Sequence, residues 1–271
     1  MNSVQLVAKL TFTEFSRQRW VLVSSILFAL LVLLLSLSGG GTMGGVTGFD
    51  RLTAALLNIL LLFIPLFGFS VGAQMIAADR ENRTLEYLLS HPIKKSSYFF
   101  GKLYGATLVL FISLSLGFAL AGIGMSFQGF SGIGNYLLLW IFSLFFAFLC
   151  VLIGLILSVF SANRTKALGL AILFWLMFTI FSDLGIMGTS FLLKLGTEAT
   201  VGMVLLNPME TYKVLVIKVI AENLEVLGTG GVFFDRLLGE WMIPLLLGWL
   251  FLIVIVMIAA GLWLFLNQEE V

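Results

Sequence analysis

The sequence has 271 residues, of which 60% are hydrophobic and only 11% are charged, and its formal net charge is +1. Soluble domains carry about 25% charged residues, so a chain of this length could not cover itself with a polar surface. The stretches 20–49, 52–78 and 103–163 contain no Lys, Arg, Asp or Glu. A segment that crosses the hydrocarbon layer of a bilayer needs about 20 residues. The composition therefore predicts a membrane protein, and its one cysteine, Cys150, excludes a disulfide framework.

The N-terminal segment, residues 2–17, precedes the first apolar stretch and has two faces. One face carries Val4, Val7, Ala8, Phe12 and Phe15, and the other carries Gln5, Lys9, Thr13 and Ser16. This pattern predicts an amphipathic helix lying on the cytoplasmic membrane surface. The apolar stretch that follows is longer than that of a typical signal peptide and has no Ala-x-Ala cleavage site, so we expect it to be a retained span.

Hydropathy predicts an all-α polytopic membrane protein with a single transmembrane domain over residues 1–271. The six predicted spans cover 20–38, 52–78, 103–126, 137–160, 167–186 and 241–266. Ten of the 15 Lys and Arg residues lie in the segments that are inside if both termini are cytoplasmic, which is the orientation that basic residues favour.

The long loop 187–240 is then extracytoplasmic and contains a helix signal. Asn207-Pro208 is typical of a helix start, with Pro at the first helical position. Apolar residues recur at helical spacing from Tyr212 to Ile220, while Lys213, Lys218 and Glu222 argue against a seventh span. We expect a helical excursion at the outer membrane surface between spans five and six.

No motif in the chain predicts catalysis or metal binding. Gly101-Lys102 is followed by Leu103 without a preceding Gly-rich run, so it cannot cradle phosphates, and we predict that this chain is not an ATPase. The only histidine, His91, argues against a metalloprotease or a Ser/His protease. Asp183 is the one acidic residue within a predicted span and is a candidate for the transport pathway. Its place near the outer end favours contact with lipid headgroups instead.

The loop 79–102, between spans two and three, is the most informative segment. It carries eight of the 29 charged residues. Leu85, Leu88 and Leu89 would share one face of a short helix, and Pro92 would close the turn. A short helix with an apolar face and a charged rim suits docking into a groove of another protein. The alternative is a solvated basic loop that only anchors the orientation.

This loop resembles the coupling region of ABC type-2 permeases, whose pattern runs Glu-x-x-x-Gly-Thr-Leu-Glu-x-Leu-Leu-x-x-Pro, then a basic turn and Gly-Lys. The matching residues are Glu81, Thr84, Leu85, Glu86, Leu88, Leu89, Pro92, Gly101 and Lys102. Arg83 stands where the pattern has Gly, and we expect the helix to continue through it. The resemblance covers the whole chain and implies that the matched residues 81–92 couple it to an ATPase.

The chain is also similar to one branch, the permease subunit of the Nos-type transporter that serves maturation of the copper enzyme nitrous oxide reductase. That similarity lies in the opening Val-x-x-x-Ala-Lys, in Arg-x-Arg-Trp, and in residues 206–213, which read Leu-Asn-Pro-Met-Glu-Thr-Tyr-Lys.

The resemblance implies a homodimer in the bacterial inner membrane with two cytoplasmic ATPase subunits, which bind ATP and Mg; the chain itself needs no cofactor and binds no nucleic acid. For this branch it implies export of a sulfur-containing species and a periplasmic partner. The partner surface would comprise Asn207, Pro208, Glu210, Tyr212, Lys213, Lys218 and Glu222. Alternatives are an exporter of another small molecule, or an ion-coupled carrier or channel, although carriers usually show internal repeats.

Overall fold

The structure, a computed structural model, describes residues 3–38, 48–126, 133–180, 197–221 and 238–268. Within these ranges every regular element is a helix. The α-helices are α1 (Ser3–Ser16), α2 (Arg19–Ser38), α3 (Gly48–Glu81), α4 (Thr84–Leu89), α5 (Lys95–Ser126), α6 (Ile133–Val159), α7 (Arg164–Ile180), α8 (Thr197–Leu206), α9 (Pro208–Ala221) and α10 (Met242–Leu266), and a 3-10 turn, Gly239–Trp241, precedes α10.

Four helical stretches in the described part of the chain are long and apolar enough to cross a membrane. They are Ala55–Glu81, Lys95–Gly124, Ile133–Val159 and Gly239–Leu266. They coincide with the predicted spans two, three, four and six, so the all-helical membrane fold is confirmed. Helices α2 and α7 lie where the first and fifth spans are predicted. The total of six spans and their orientation stay predictions.

The chain divides into two compact units. Unit 1 comprises residues 1–172 and 257–271, and unit 2 comprises residues 173–256. Unit 1 contains α1 to α6, the first part of α7 and the last part of α10. The charged loop 79–102 therefore lies wholly within unit 1.

Helices α3 and α6 form the centre of unit 1 and pack closely through glycines. A Cβ added at Gly68 or Gly72 would collide with the backbone or Cβ of Cys150 and Val151, and one at Gly154 would lie 2.5 Å from the carbonyl oxygen of Phe69. Small residues at such positions let membrane helices approach each other closely. The Ser158 hydroxyl on α6 accepts hydrogen bonds from two successive backbone N–H groups of α3, at 2.9 and 2.8 Å.

Helix α1 packs against the beginning of α5, again at glycines. A Cβ at Gly101 would lie 2.6 Å from the Cβ of Val7, and one at Gly105 would lie 2.6 Å from the carbonyl oxygen of Ala8. Val7, Ala8, Thr11 and Phe15 are buried. A helix is present where the amphipathic helix is predicted, and three of its five predicted apolar positions are buried. Its place on the cytoplasmic membrane surface stays a prediction. The face that packs on α5 also includes Thr11, whose hydroxyl donates to the Val7 carbonyl oxygen.

In unit 2, α8 and α9 are consecutive helices that contact each other. The Asn207 side chain caps α9, because its Oδ1 accepts a hydrogen bond of 3.0 Å from the Met209 N–H. The Trp249 indole of α10 donates a 2.8 Å hydrogen bond to the Leu205 carbonyl oxygen. The predicted helix start at Asn207-Pro208 is confirmed, and α8 is an additional helix that the sequence did not predict.

Candidate functional site

The last turn of α3 holds three consecutive charged residues, Asp79, Arg80 and Glu81, and only the turn at 82–83 separates them from α4. Consecutive residues of a helix point in directions about 100° apart, so each of the three can reach a different neighbour. In this structure each one does. We call these three side chains and the groups they contact the polar junction.

Asp79 connects α3 to α5 and, through Lys102, to α1. The Lys102 Nζ lies 2.7 Å from Asp79 Oδ2, and the two side chains are only 4% and 6% exposed. The Tyr98 hydroxyl donates a 2.5 Å hydrogen bond to the same carboxylate oxygen. Glu14 of α1 lies 3.6 Å from the Lys102 Nζ and is 43% exposed. Lys102 therefore lies between two carboxylates that belong to two other helices.

Arg80 connects α3 to the ends of α6 and α10. Its guanidinium donates to the carbonyl oxygens of Val159 and Ser161, where α6 ends. The last carbonyl groups of a helix lack intrahelical donors, so a cation there is favourable both as a hydrogen-bond donor and electrostatically. The guanidinium also donates to Gln268 Oε1 at 2.6 Å, and the Gln268 amide in turn donates to the Val159 carbonyl oxygen at 2.7 Å.

Glu81 connects α3 to the beginning of α7. Its Oε2 accepts a 2.8 Å hydrogen bond from the Arg164 backbone N–H. The Arg164 side chain reaches back to α3 and donates to Gln74 Oε1 at 2.7 Å and to Gln18 Oε1 at 3.4 Å. Gln74 is a polar group inside a predicted span, and it is only 2% exposed. Neighbouring groups satisfy it, as the membrane environment requires.

Between α3 and α4 the backbone makes a sharp turn at Arg83. The φ and ψ angles of Arg83 are 57° and 14°, which is the left-handed conformation. The expectation that helix continues through Arg83 is therefore wrong. The turn requires a positive φ at this position, which glycine adopts without steric cost and which explains the Gly of the coupling pattern. The predicted short helix is present as α4, which begins at Thr84, after the turn, and ends at Leu89.

Helix α4 presents its predicted coupling residues unequally. Leu85 is only 2% exposed and packs inside the chain, while Leu88 and Leu89 are half-buried. Glu81, Thr84, Glu86 and Pro92 are exposed. The most exposed apolar side chain of α4 is Tyr87, at 65%. Its ring lies edge-on to the His91 ring, with 5.0 Å between the two ring centroids. The surface available to another protein is therefore centred on Tyr87, which the sequence did not single out.

The second predicted surface, on α9, is also only partly accessible. Pro208, Glu210 and Tyr212 are buried, while Asn207, Lys213 and Lys218 are half-buried. Glu210 and Lys213 form an ion pair of 3.6 Å. Glu222 and Asp183 lie outside the described residues.

Sequence reasoning did not identify Asp79, Arg80, Tyr98 or Gln268 as site residues. A weak signal existed for one pair, since Lys102 belongs to the Gly-Lys of the coupling pattern and Asp79 is the first charge after a long apolar run. Their contact depends on how α3 packs against α5, which spacing along the chain does not give.

Comparison with known proteins agrees with this architecture. The sequence model of the family described as ABC-2 family transporter protein matches residues 5–269. The chain therefore belongs to the ABC-2 transporter family and is a membrane-embedded permease of that class. It is similar to the probable ABC transporter permease protein NosY of Stutzerimonas stutzeri, with 28% identity over 232 residues that cover 79% of this chain and 81% of the relative. The protein of the same name from Pseudomonas aeruginosa is 26% identical over 235 residues, covering 79% and 82%.

Proposed function

We propose that this chain is the membrane-spanning subunit of an ATP-driven exporter, in which two copies assemble with two cytoplasmic ATPase subunits. The observation that carries the proposal is α4, a short helix with an exposed Tyr87, joined to the polar junction where six helices meet. ABC permeases associate with separate ATPase subunits that bind ATP and Mg. A compact helix at such a junction suits transmission of a partner's motion into the spans.

The charges around the polar junction support a cytoplasmic position for this end of unit 1. The basic residues of the two loops that meet there are Arg80, Arg83, Lys94, Lys95, Lys102, Arg164 and Lys166. Lys and Arg concentrate on the cytoplasmic side of membrane proteins. In this orientation α4 faces the cytoplasm, where the ATPase subunits are.

In the proposed mechanism, ATP binding closes the ATPase dimer and displaces α4. The polar junction passes that displacement to α3 and α5, and the spans of the two copies rearrange to open a path outward. ATP drives this change only because the closed ATPase dimer binds one arrangement of the permease more tightly than the other.

The proposed cargo is a sulfur-containing species used in assembling the copper sites of nitrous oxide reductase. Support comes from the two relatives named NosY, each aligned over 79% of this chain. A periplasmic partner would receive the cargo and contact the segment around α9. The half-buried Lys213 and Lys218 are the charged residues there that we expect to contribute.

The test is complementation of a bacterial strain that lacks its own NosY. With the cognate ATPase, this chain is expected to restore the copper-site absorption spectrum of nitrous oxide reductase. The chain purified alone is expected to hydrolyse no ATP, and the complex is expected to hydrolyse it. Assembly of an active complex without any recovery of the copper spectrum would contradict the cargo assignment, while failure to bind any ABC ATPase would contradict the permease assignment.

A further inference from the structure

The Asp79–Lys102 ion pair is buried, and a buried ion pair contributes too little to stability to explain why it is there. Both charged side chains are almost fully buried, at 6% and 4% exposed. Removing two charges from water is so unfavourable that replacing such a pair by apolar groups of similar volume often leaves a protein equally or more stable. A role in holding two elements in a defined arrangement is therefore a better explanation of this pair than stability.

The two residues stand at the base of the segment that contains α4. Asp79 is in the last turn of α3, and Lys102 is in the third turn of α5. The ion pair therefore joins the two ends of residues 79–102, the segment that contains the turn at Arg83 and α4. Tyr98 reinforces this connection from α5, because its hydroxyl donates to the carboxylate oxygen that contacts Lys102.

We infer that the Asp79–Lys102 ion pair is the positioning element that makes α4, α3 and α5 move as one body during the transport cycle. This inference rests on the proposed function, because it assigns to the pair the transmission of a displacement that an ATPase imposes on α4. In a site shielded from water the attraction between the charges is much stronger than at the surface, so the pair resists separation when α4 is pushed. Without it, α4 would move while the ends of α3 and α5 yielded independently.

A second acidic residue near Lys102 provides the control. Glu14 is 3.6 Å from Lys102 and 43% exposed, so solvent weakens its attraction. Glu14→Gln is therefore a matched control for loss of a negative charge next to Lys102.

The experiment uses the complex of the full chain with its ATPase in lipid nanodiscs, with a reporter cysteine in place of Ile133. Ile133 is 63% exposed and lies at the end of α6 remote from the junction, whereas the native Cys150 is 1% exposed. The measured quantity is the rate of labelling by a water-soluble maleimide, with and without ATP and vanadate. With the native ion pair we expect ATP and vanadate to change this rate by about threefold or more, because the proposed rearrangement of the spans changes the exposure of the reporter cysteine.

The double variant Asp79→Asn/Lys102→Met removes both buried charges together, so it avoids leaving one unpaired. We expect it to keep its melting temperature and its bound, hydrolysing ATPase but to lose the nucleotide-dependent change in labelling. The Glu14→Gln control is expected to keep that change. A full response in the double variant would overturn the inference, and so would a lost response accompanied by a lowered melting temperature, which indicates a merely structural role. No response with the native pair would instead overturn the proposed function, and the inference with it.

Discussion

Among the described residues, Arg83 is the only one other than glycine with a positive φ, and it precedes the helix proposed to contact the ATPase. The left-handed conformation costs a residue with a side chain about 1–2 kcal/mol. Glycine avoids that cost but loses about 0.4–1 kcal/mol through a more flexible unfolded chain. We therefore expect Arg83→Gly to raise the free energy of unfolding by about 0.5–1 kcal/mol. A thermal melt in detergent would measure this.

The neighbouring Asn82 offers the matched control, because it lies in the same turn without a positive φ. Asn82→Gly gains nothing at the backbone, and we expect it to lower the melting temperature slightly. If both glycine variants changed the melting temperature in the same direction, strain at Arg83 would not be the cause.

Some single residues could be predicted from the sequence because their roles are local. The cap at Asn207 follows from the residue type and from the Pro that comes next. Arg83 could not be predicted, since nothing in an arginine signals a left-handed backbone. The Asp79–Lys102 contact could not be predicted either, because it joins two helices whose relative rotation the sequence leaves open.

At the scale of elements, α4 carries two kinds of residue: the buried Leu85, which stabilises the chain, and the exposed Tyr87, which can contact a partner. Truncating the buried Leu85 to Ala should cost the chain itself about 2–5 kcal/mol. Truncating the exposed Tyr87 to Ala should leave the melting temperature nearly unchanged and weaken ATPase binding by about thirtyfold, the loss expected for an interface anchor. Melting curves and titration of the ATPase onto nanodisc-bound chain would measure the two effects.

The role of Leu85, Leu88 and Leu89 as docking residues stays a prediction, now limited by the burial of Leu85. If Leu85→Ala weakened ATPase binding without lowering the melting temperature, and Tyr87→Ala did neither, the docking surface would be centred on the leucines instead.

The packing of α1 on α5 gives a second test at this scale. Gly105→Ala adds one methyl group 2.6 Å from the Ala8 carbonyl oxygen, so α1 must shift away from α5. We expect a lower melting temperature and faster proteolysis of the N-terminal segment. Gly169→Ala adds the same methyl group to α7 where nothing lies within 4 Å, and we expect no loss. Equal effects of the two variants would show that α1 does not depend on the close approach at Gly105.

The positions of the long helices could be predicted because an apolar run of span length leaves few alternatives. Their ends could not, since helix continues into polar sequence: α5 begins at Lys95, eight residues before the predicted span. The packing glycines could not be singled out either. Gly is common in membrane helices, and only the fold shows that Gly72, Gly101 and Gly105 lie against neighbouring helices whereas Gly169 does not.

At the scale of the whole molecule, the predicted orientation is tested by reporter fusions. Fusions after His91 and Asn163 are expected to report a cytoplasmic position, because both residues lie in loops with basic residues. Fusions after Gly44, Gly129 and Gly228 are expected to report the opposite side. A cytoplasmic signal at Gly228 would contradict six spans, since the loop before the last span would then be on the wrong side.

The register between Gly72 and Asp79 has a consequence for how this chain tolerates changes of length. Gly72 fixes the rotation of α3 against α6, and the following residues 79–81 reach three separate groups of neighbours. One residue inserted between them would turn the junction by about 100° and displace it by about 1.5 Å, so that all its contacts would be lost together. The exposed residues around His91 have no such register. In a scan of single-residue insertions scored by complex assembly, we therefore expect no tolerated insertion from 73 to 79, and tolerated ones next to His91.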